Sequence, residues 1–221
     1  MNEISSIKAP VVVIADLVRS RELPDRDAFQ QRLLGHLAEI SGRDGVLSPY
    51  TLTLGDEFQA VLTDFAGGLR DGFDLLARLA PVKVRFALAA GPLSTRIHPV
   101  AALQMDGPAF IEARRVLEAL KRRKHTVLQI GWALPGPGPD LANAALVHLA
   151  GVMDGWKPAT HHIFQHLLDE LPAEESARRL GMTVRGVHKH IAGHHLHDAR
   201  SLLRRVTEDL ERRRQRAREA L

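Results

Sequence analysis

The chain has 221 residues and a formal net charge of +4 at pH 7, and 45% of its residues are hydrophobic. This is the composition of a soluble globular protein with room for one large domain or two small ones. It contains no cysteine, which excludes disulfide bonds and cysteine-ligated zinc. The N-terminus lacks the layout of a signal peptide and no segment is long enough to span a bilayer, so we expect a cytoplasmic protein with no membrane partner.

The first half of the chain alternates strand-like and helix-like segments. Residues 10–17 (PVVVIADL) form a continuous aliphatic run, which is typical of a central strand covered on both faces. Residues 50–62 predict two short strands around a turn at Gly55-Asp56. The other predicted elements are helices over 25–40, 65–79 and 107–123 and strands over 82–90 and 126–132. The resulting order β-α-β-β-α-β-α-β predicts an α/β domain over residues 1–133 with the βαββαβ core of a ferredoxin-like fold.

A segment rich in proline and glycine follows this domain. Residues 134–140 (LPGPGPD) hold three prolines and two glycines, so we interpret them as a linker. Residues 141–221 are helical in pattern throughout and predict an all-α domain. Charge also divides the chain, because residues 1–171 hold 18 Lys or Arg against 19 Asp or Glu, whereas residues 172–221 hold 12 against 7. The basic excess favours a partner that carries phosphate groups.

Residues 174–191 (EESARRLGMTVRGVHKHI) have the spacing of a helix-turn-helix. Ala177 is small enough for two helices to cross closely, and Gly181 can adopt the positive φ of a sharp turn. Val184, Val187 and Ile191 form the inward face of the second helix, while His190 stands where such motifs usually carry an aliphatic residue. The residues predicted to contact DNA are Thr183, Arg185, His188 and Lys189, together with Arg200, Arg204 and Arg205, which are expected to follow the DNA backbone. The alternative is an ordinary helical hairpin with a charged face.

Two acidic sites lie at adjacent strand ends of the predicted sheet. Asp16 ends the first strand, and Asp56 and Glu57 lie at the hairpin turn. The first strand lies beside the hairpin in a β-α-β-β sheet, so we expect these carboxylates to converge. Converging carboxylates are ligands for Mg²⁺, which makes all three residues candidate metal ligands. The alternative is that they only shape the turn and a loop.

Four segments resemble the SatD family of bacterial proteins: IADLVRS, TLGDEFQAVL, VRFALAAGP and DGPAFIEARRVLEAL. More distantly, the first domain resembles the palm-type catalytic domain of class III nucleotide cyclases and the related diguanylate cyclases. The second resemblance implies that Asp16 and Asp56 bind metal ions at a nucleoside triphosphate. It also implies that Arg115 contacts the phosphates of that nucleotide.

Three positions depart from the cyclase pattern. Leu52 and Ile111 stand where cyclases carry a base-selecting lysine and a transition-state asparagine, and Leu54 replaces the first glycine of the diguanylate signature. An aliphatic side chain neither selects a base nor donates a hydrogen bond to developing charge. The resemblance therefore implies a domain that has lost the cyclase reaction and is either a nucleotide sensor or a remnant.

Eight of the 12 histidines lie between His161 and His197. Two pairs are four residues apart, which is the spacing that two imidazoles need to share a metal on a helix: His162 with His166, and His190 with His194. An alternative is that some of these side chains contact phosphates or make DNA affinity depend on pH. We prefer the interpretation of a histidine-rich surface without a specific metal site.

The sequence as a whole predicts a DNA-binding transcriptional regulator with a nucleotide as its ligand. A homodimer is expected, because one recognition helix reads too few base pairs for high specificity. An alternative from another class is a Mg²⁺-dependent nucleotide-binding or nucleotidyl-cyclase-like enzyme, and a third is that the terminal helices bind a protein.

Overall fold

The computed structural model describes residues 8–53, 55–123 and 127–220, and within these ranges the chain is mixed α/β. The strands are β1 (Val11–Leu17), β2 (Val46–Leu52), β3 (Glu57–Leu62), β4 (Val84–Ala90) and β5 (Leu128–Trp132). The helices are α1 (Arg26–Ser41), α2 (Phe65–Leu79), α3 (Pro108–Lys121), α4 (Asp140–Met153), α5 (Pro158–Leu168), α6 (Ala173–Leu180), α7 (Val184–Gly193) and α8 (Leu196–Glu219). The predicted order of strands and helices is confirmed; Leu54 and Thr126 lie outside the described residues.

The five strands form one sheet in the order β2-β3-β1-β4-β5. Strand β1 is central and pairs antiparallel with both β3 and β4, whereas β5 lies parallel to β4 at the edge. All seven residues of β1 are buried, which confirms the predicted strand covered on both faces. The connection between β4 and β5 runs through α3, as a parallel pair requires.

Alternate residues of β1 enter two separate cores. Val12 and Ile14 pack on the face that α3 covers, and Val13 and Ala15 belong to the larger core on the opposite face. That larger core continues without a break into the C-terminal helices, where it includes Phe164 and other buried apolar side chains. The hydrophobic core therefore crosses residues 134–140, and the division of the chain into two domains stays a prediction.

Helix α8 is fastened to the sheet layer by two charged side chains. The carboxylate of Glu211 accepts a hydrogen bond of 2.6 Å from the backbone N–H of Phe65, at the start of α2. The buried guanidinium of Arg214 donates to the carbonyl of Ala9 at 2.8 Å and pairs with Glu211 at 2.7 Å. Leu210, which precedes Glu211, is fully buried in the larger core. Polar contacts and apolar packing thus hold α8 in one position on the sheet layer.

Helix α2 is held from its other side by a buried ion network. Arg43 lies 2.6 Å from Asp71 and 2.5 Å from Asp74, and the hydroxyl of Tyr50 donates to Asp71 at 3.0 Å. Burial raises the pKa of Asp71, and the neighbouring Arg43 opposes that shift. These contacts fix the rotation of α2 and hence the direction of its remaining side chains.

The anchor of α8 predicts a specific loss of stability. Replacing Arg214 by alanine removes the donor to Ala9 and leaves Glu211 without its cation, so the free energy of unfolding should fall by about 2 kcal/mol. Arg212→Ala is the matched control, because its side chain is 60% exposed and lies 3.8 Å from Asp209; its effect should stay within about 0.5 kcal/mol. Urea unfolding followed by circular dichroism measures the free energy of unfolding of both variants. Equal losses would show that Arg214 does not hold α8 on the sheet layer.

Candidate functional site

The segment predicted as a helix-turn-helix contains two short helices, α6 and α7, joined by a three-residue turn. Gly181 adopts φ of 62° and ψ of 32°, the left-handed conformation expected of it. The N–H of Met182 donates to the carbonyl of Ala177 at 2.9 Å and closes the turn. The hydroxyl of Thr183 accepts from the N–H of Gly186 at 3.1 Å, which caps α7.

Helix α7 has a buried face and a charged, exposed face. Val187 and Ile191 are buried against the neighbouring helices, as the sequence predicts. Arg185, His188 and Lys189 are exposed. Among the residues that the structure describes, none makes a hydrogen bond or ion pair with these three side chains. The outward face of α7 therefore offers basic groups that are not used within the fold.

The arginines of α8 have contacts within the protein. Arg200 donates to the carbonyl of Leu167 at 3.2 Å, near the end of α5. Arg204 and Arg205 lie 3.9 Å and 3.4 Å from the carboxylate of Glu208. Their predicted contacts with the DNA backbone stay predictions. Unlike these arginines, the basic side chains on the exposed face of α7 have no partner among the described residues.

Two histidines connect α5 to the α6–α7 pair. Nδ1 of His190 lies 2.9 Å from the hydroxyl of buried Thr160, and Nδ1 of His166 lies 2.8 Å from the hydroxyl of Ser176. The hydroxyl of Thr160 gives the half-buried His190 side chain a polar partner. Burial lowers the pKa of His166, and also of His161. Within the described ranges, no group of three or more histidine, cysteine or acidic side chains is arranged to hold a metal ion.

The three predicted acidic residues lie together at one end of the sheet. Asp16 and Glu57 are direct partners in the β1–β3 ladder. The N–H of Leu17 donates to the carbonyl of Asp56 at 3.1 Å, and the hydroxyl of Ser20 donates to the Asp56 carboxylate at 2.5 Å. We call Asp16, Asp56 and Glu57 the acidic cluster.

Basic side chains from two other elements balance the acidic cluster. Arg85 of β4 lies 3.0 Å from the carboxylate of Asp16, and Arg114 of α3 pairs with Glu57. The ammonium of Lys121 lies 3.8 Å from Asp16 and 4.0 Å from Glu57. Burial raises the pKa of Asp16, while the charges of Lys121 and Arg85 oppose that shift.

These basic partners are not among the site residues predicted from the sequence. Arg85 is opposite Asp16 in the β1–β4 ladder, so its place follows from the strand register. Arg114 and Lys121 are seven residues apart, which puts them on one face of α3 two turns apart. Both signals were readable in the sequence once the strand order was known.

The structure places Arg115, the predicted phosphate contact, beside Glu112. The guanidinium lies 2.6 Å and 2.7 Å from the two carboxylate oxygens of Glu112, which also accepts from the N–H of Trp132 at 3.3 Å. Ile111, at the position of the cyclase asparagine, is 65% exposed. The basic residue that α3 brings to the acidic cluster from this segment is Arg114.

The donor set of the acidic cluster fits a site balanced by side-chain cations better than one built for a metal. The carboxylates of Asp16 and Glu57 face basic groups, and the carboxylate of Asp56 accepts from Ser20. A Mg²⁺ ion would have to displace these partners to gain carboxylate ligands.

Comparison with known proteins settles the family. The model of the SatD family matches residues 10–183, from β1 to the turn before α7. The chain belongs to the SatD family. The matched part contains the acidic cluster, its basic partners and Gly181. No curated protein matches the chain. In the described part of this SatD-family protein, no helix has both the length and the apolar character needed to cross a membrane.

Two glycine-to-alanine substitutions, one in the turn between α6 and α7 and one inside α1, should change the free energy of unfolding in opposite directions. No atom lies within 4 Å of a Cβ added at Gly181, so Gly181→Ala should cost about 1 kcal/mol through backbone conformation alone. Gly35, inside α1, has equally open surroundings and no positive φ, so Gly35→Ala should raise the free energy of unfolding by up to about 1 kcal/mol. Urea unfolding of both variants tests this pair. Stabilisation by Gly181→Ala would show that the turn is not left-handed.

Proposed function

We propose that this protein binds double-stranded DNA through α7 and acts as a transcriptional regulator. The observation that carries the proposal is the outward face of α7, where Arg185, His188 and Lys189 are exposed and unpaired among the described residues. In a helix-turn-helix, the second helix lies in the major groove and its outward side chains meet bases and phosphates. We assign that role to α7, and we expect α6 to cross the sugar-phosphate backbone of the DNA.

Geometry and charge support this assignment. Helix α7 has 10 residues and is therefore about 15 Å long, and an α-helix fits within the major groove. Its capped first turn places Thr183 and Arg185 at the end that contacts base edges in such complexes. The surrounding residues 172–221 carry 12 basic against 7 acidic side chains, which favours counterion release from DNA.

The sheet supports a finer proposal for the first part of the chain. Strands β2-β3-β1-β4 and helices α1 and α2 have the connectivity of a split βαβ unit, with β5 added beside β4. We propose that this is the ferredoxin-like palm expected from the cyclase resemblance. We also propose a homodimer, since two α7 helices would then read two half-sites about one turn of DNA apart.

The DNA proposal predicts a change in both affinity and salt dependence. Arg185→Ala with Lys189→Ala removes two charges from the outward face of α7. Affinity for a duplex of about 30 base pairs should fall at least about tenfold, and the slope of log K against log salt should decrease by about 2. Fluorescence anisotropy over a salt series measures both quantities.

A matched control separates this contact from general charge. Arg96→Ala with Arg123→Ala removes the same charge from exposed positions distant in sequence from α7, so affinity should change less than about threefold. Equal losses in the two double variants would show that DNA does not prefer α7. An unchanged affinity in the α7 variant would remove the assignment of the recognition helix.

The acidic cluster favours a second candidate function, the sensing of a nucleotide. Arg85, Arg114 and Lys121 converge there from β4 and α3, and their cations can bind phosphate groups once they leave the carboxylates. No reaction is assigned to the site, because Leu52 and Ile111 lack the groups that the cyclase reaction uses. This candidate function includes binding of the nucleotide together with Mg²⁺, so nucleotide binding has to be measured with and without the metal.

Calorimetry with ATP and GTP, with and without Mg²⁺, tests the second candidate. In the presence of Mg²⁺, Asp56→Asn should weaken nucleotide binding about tenfold or more, because it removes a carboxylate that a nucleotide-bound Mg²⁺ needs as a ligand. Asp44→Asn, at an exposed position of the loop after α1, should leave binding unchanged. Binding that needs Mg²⁺ would favour a metal at the acidic cluster. If neither nucleotide gives a heat of binding, the acidic cluster has only a structural role.

A further inference from the structure

A cleft of about 440 Å³ lies between α2, the end of α5 and the first half of α8. Its apolar wall includes Leu69, Leu167 and Leu203. The cleft shares no lining residue with the acidic cluster or with the exposed face of α7. Its volume lies within the range of small-molecule sites, which are largely apolar with a few polar groups that fix orientation.

Three arginines line this cleft. Arg70 comes from α2, and Arg200 and Arg204 come from α8, one turn apart on the same face. Arg200 donates to the carbonyl of Leu167, which directs its guanidinium toward the end of α5. Basic groups from two separate elements are thus brought to one concave surface.

Arg70 has a buried N–H group that lacks an acceptor. Its Nε is inaccessible and makes no hydrogen bond with the described residues. The nearest carboxylate oxygen, on Asp71, is 3.8 Å away and already accepts from Arg43 at 2.6 Å. The Arg70 side chain is nevertheless 42% exposed, so a ligand in the cleft would meet the terminal nitrogens of its guanidinium rather than Nε.

The charge of the lining limits the kind of ligand. Glu170 and Glu208 also line the cleft, so three arginines face two carboxylates, and Glu208 lies 3.9 Å from Arg204. The net excess of one cation suits a single acidic group rather than a polyphosphate. The apolar wall suits an organic body attached to that group.

We propose that this cleft binds a small organic anion with one carboxylate or phosphate group, which Arg70 and Arg204 hold while its apolar body packs on Leu69, Leu167 and Leu203. Guanidinium groups suit both kinds of anion because they donate two parallel hydrogen bonds. The site lies apart from the acidic cluster and from the outward face of α7, and it includes Arg200 and Arg204, which are also predicted to contact the DNA backbone.

Calorimetry with four probes tests the chemical class of the ligand. Phenyl phosphate and benzoate each combine an anion with an apolar ring, phenol lacks the charge, and inorganic phosphate lacks the ring. We expect at least one of the two organic anions to bind, and to bind more tightly than both phenol and inorganic phosphate. Absence of binding by both organic anions, or equal binding of phenol, would overturn the proposal.

Variants locate the binding. Arg70→Gln and Arg204→Ala should each weaken binding of the organic anion about tenfold. Arg205→Ala is the matched control, since it neighbours Arg204 and also pairs with Glu208 but does not line the cleft; it should change affinity less than about twofold. Equal loss with Arg205→Ala, or loss with Arg85→Ala alone, would place the anion elsewhere and overturn the assignment. Because Arg204 is an exposed side chain, its variant keeps the test valid even where Arg70→Gln disturbs folding.

Discussion

The attachment of α8 to the sheet layer is the constraint on which the rest of the structure depends. Glu211 accepts from the start of α2, Arg214 holds the carbonyl of Ala9, and apolar residues of α8 join the core that begins at β1. Because α7 is separated from α8 by two residues, this attachment also sets where the outward face of α7 lies. A ligand that moved α2 or α8 would therefore act on the proposed DNA contact through shared packing rather than through a flexible linker.

The protein uses its basic residues in two different ways. At the acidic cluster, Arg85, Arg114 and Lys121 face carboxylates, so their charges are largely balanced within the fold. On α7, Arg185 and Lys189 have no such partner among the described residues. Basic groups without an internal counter-charge gain most from phosphate, because binding then breaks no existing pair. This difference is the reason to place DNA at α7 and to keep nucleotide sensing as the second candidate.

Local signals in the sequence predicted much of the fold. The contacts that were not predicted are long-range ones. Strand β1 followed from a continuous aliphatic run, and the turn at Gly181 followed from the need for positive φ. The partners of the acidic cluster depend on strand order and on the rotation of α3, neither of which one segment reveals. Arg114 and Arg115 show this clearly, because adjacent helical residues point about 100° apart and only one of them reaches Glu57. The anchor of Arg214 on Ala9 joins residues 205 positions apart in the chain and carries no local signature.

DNA binding at α7 can be tested by hydrogen–deuterium exchange with and without a bound duplex, because exchange reports which backbone segments the DNA covers. We expect slower exchange in peptides spanning 183–193 when DNA is bound, with little change in β1 and the β2–β3 hairpin. Protection confined to the region of the acidic cluster, with exchange in 183–193 unchanged, would contradict it.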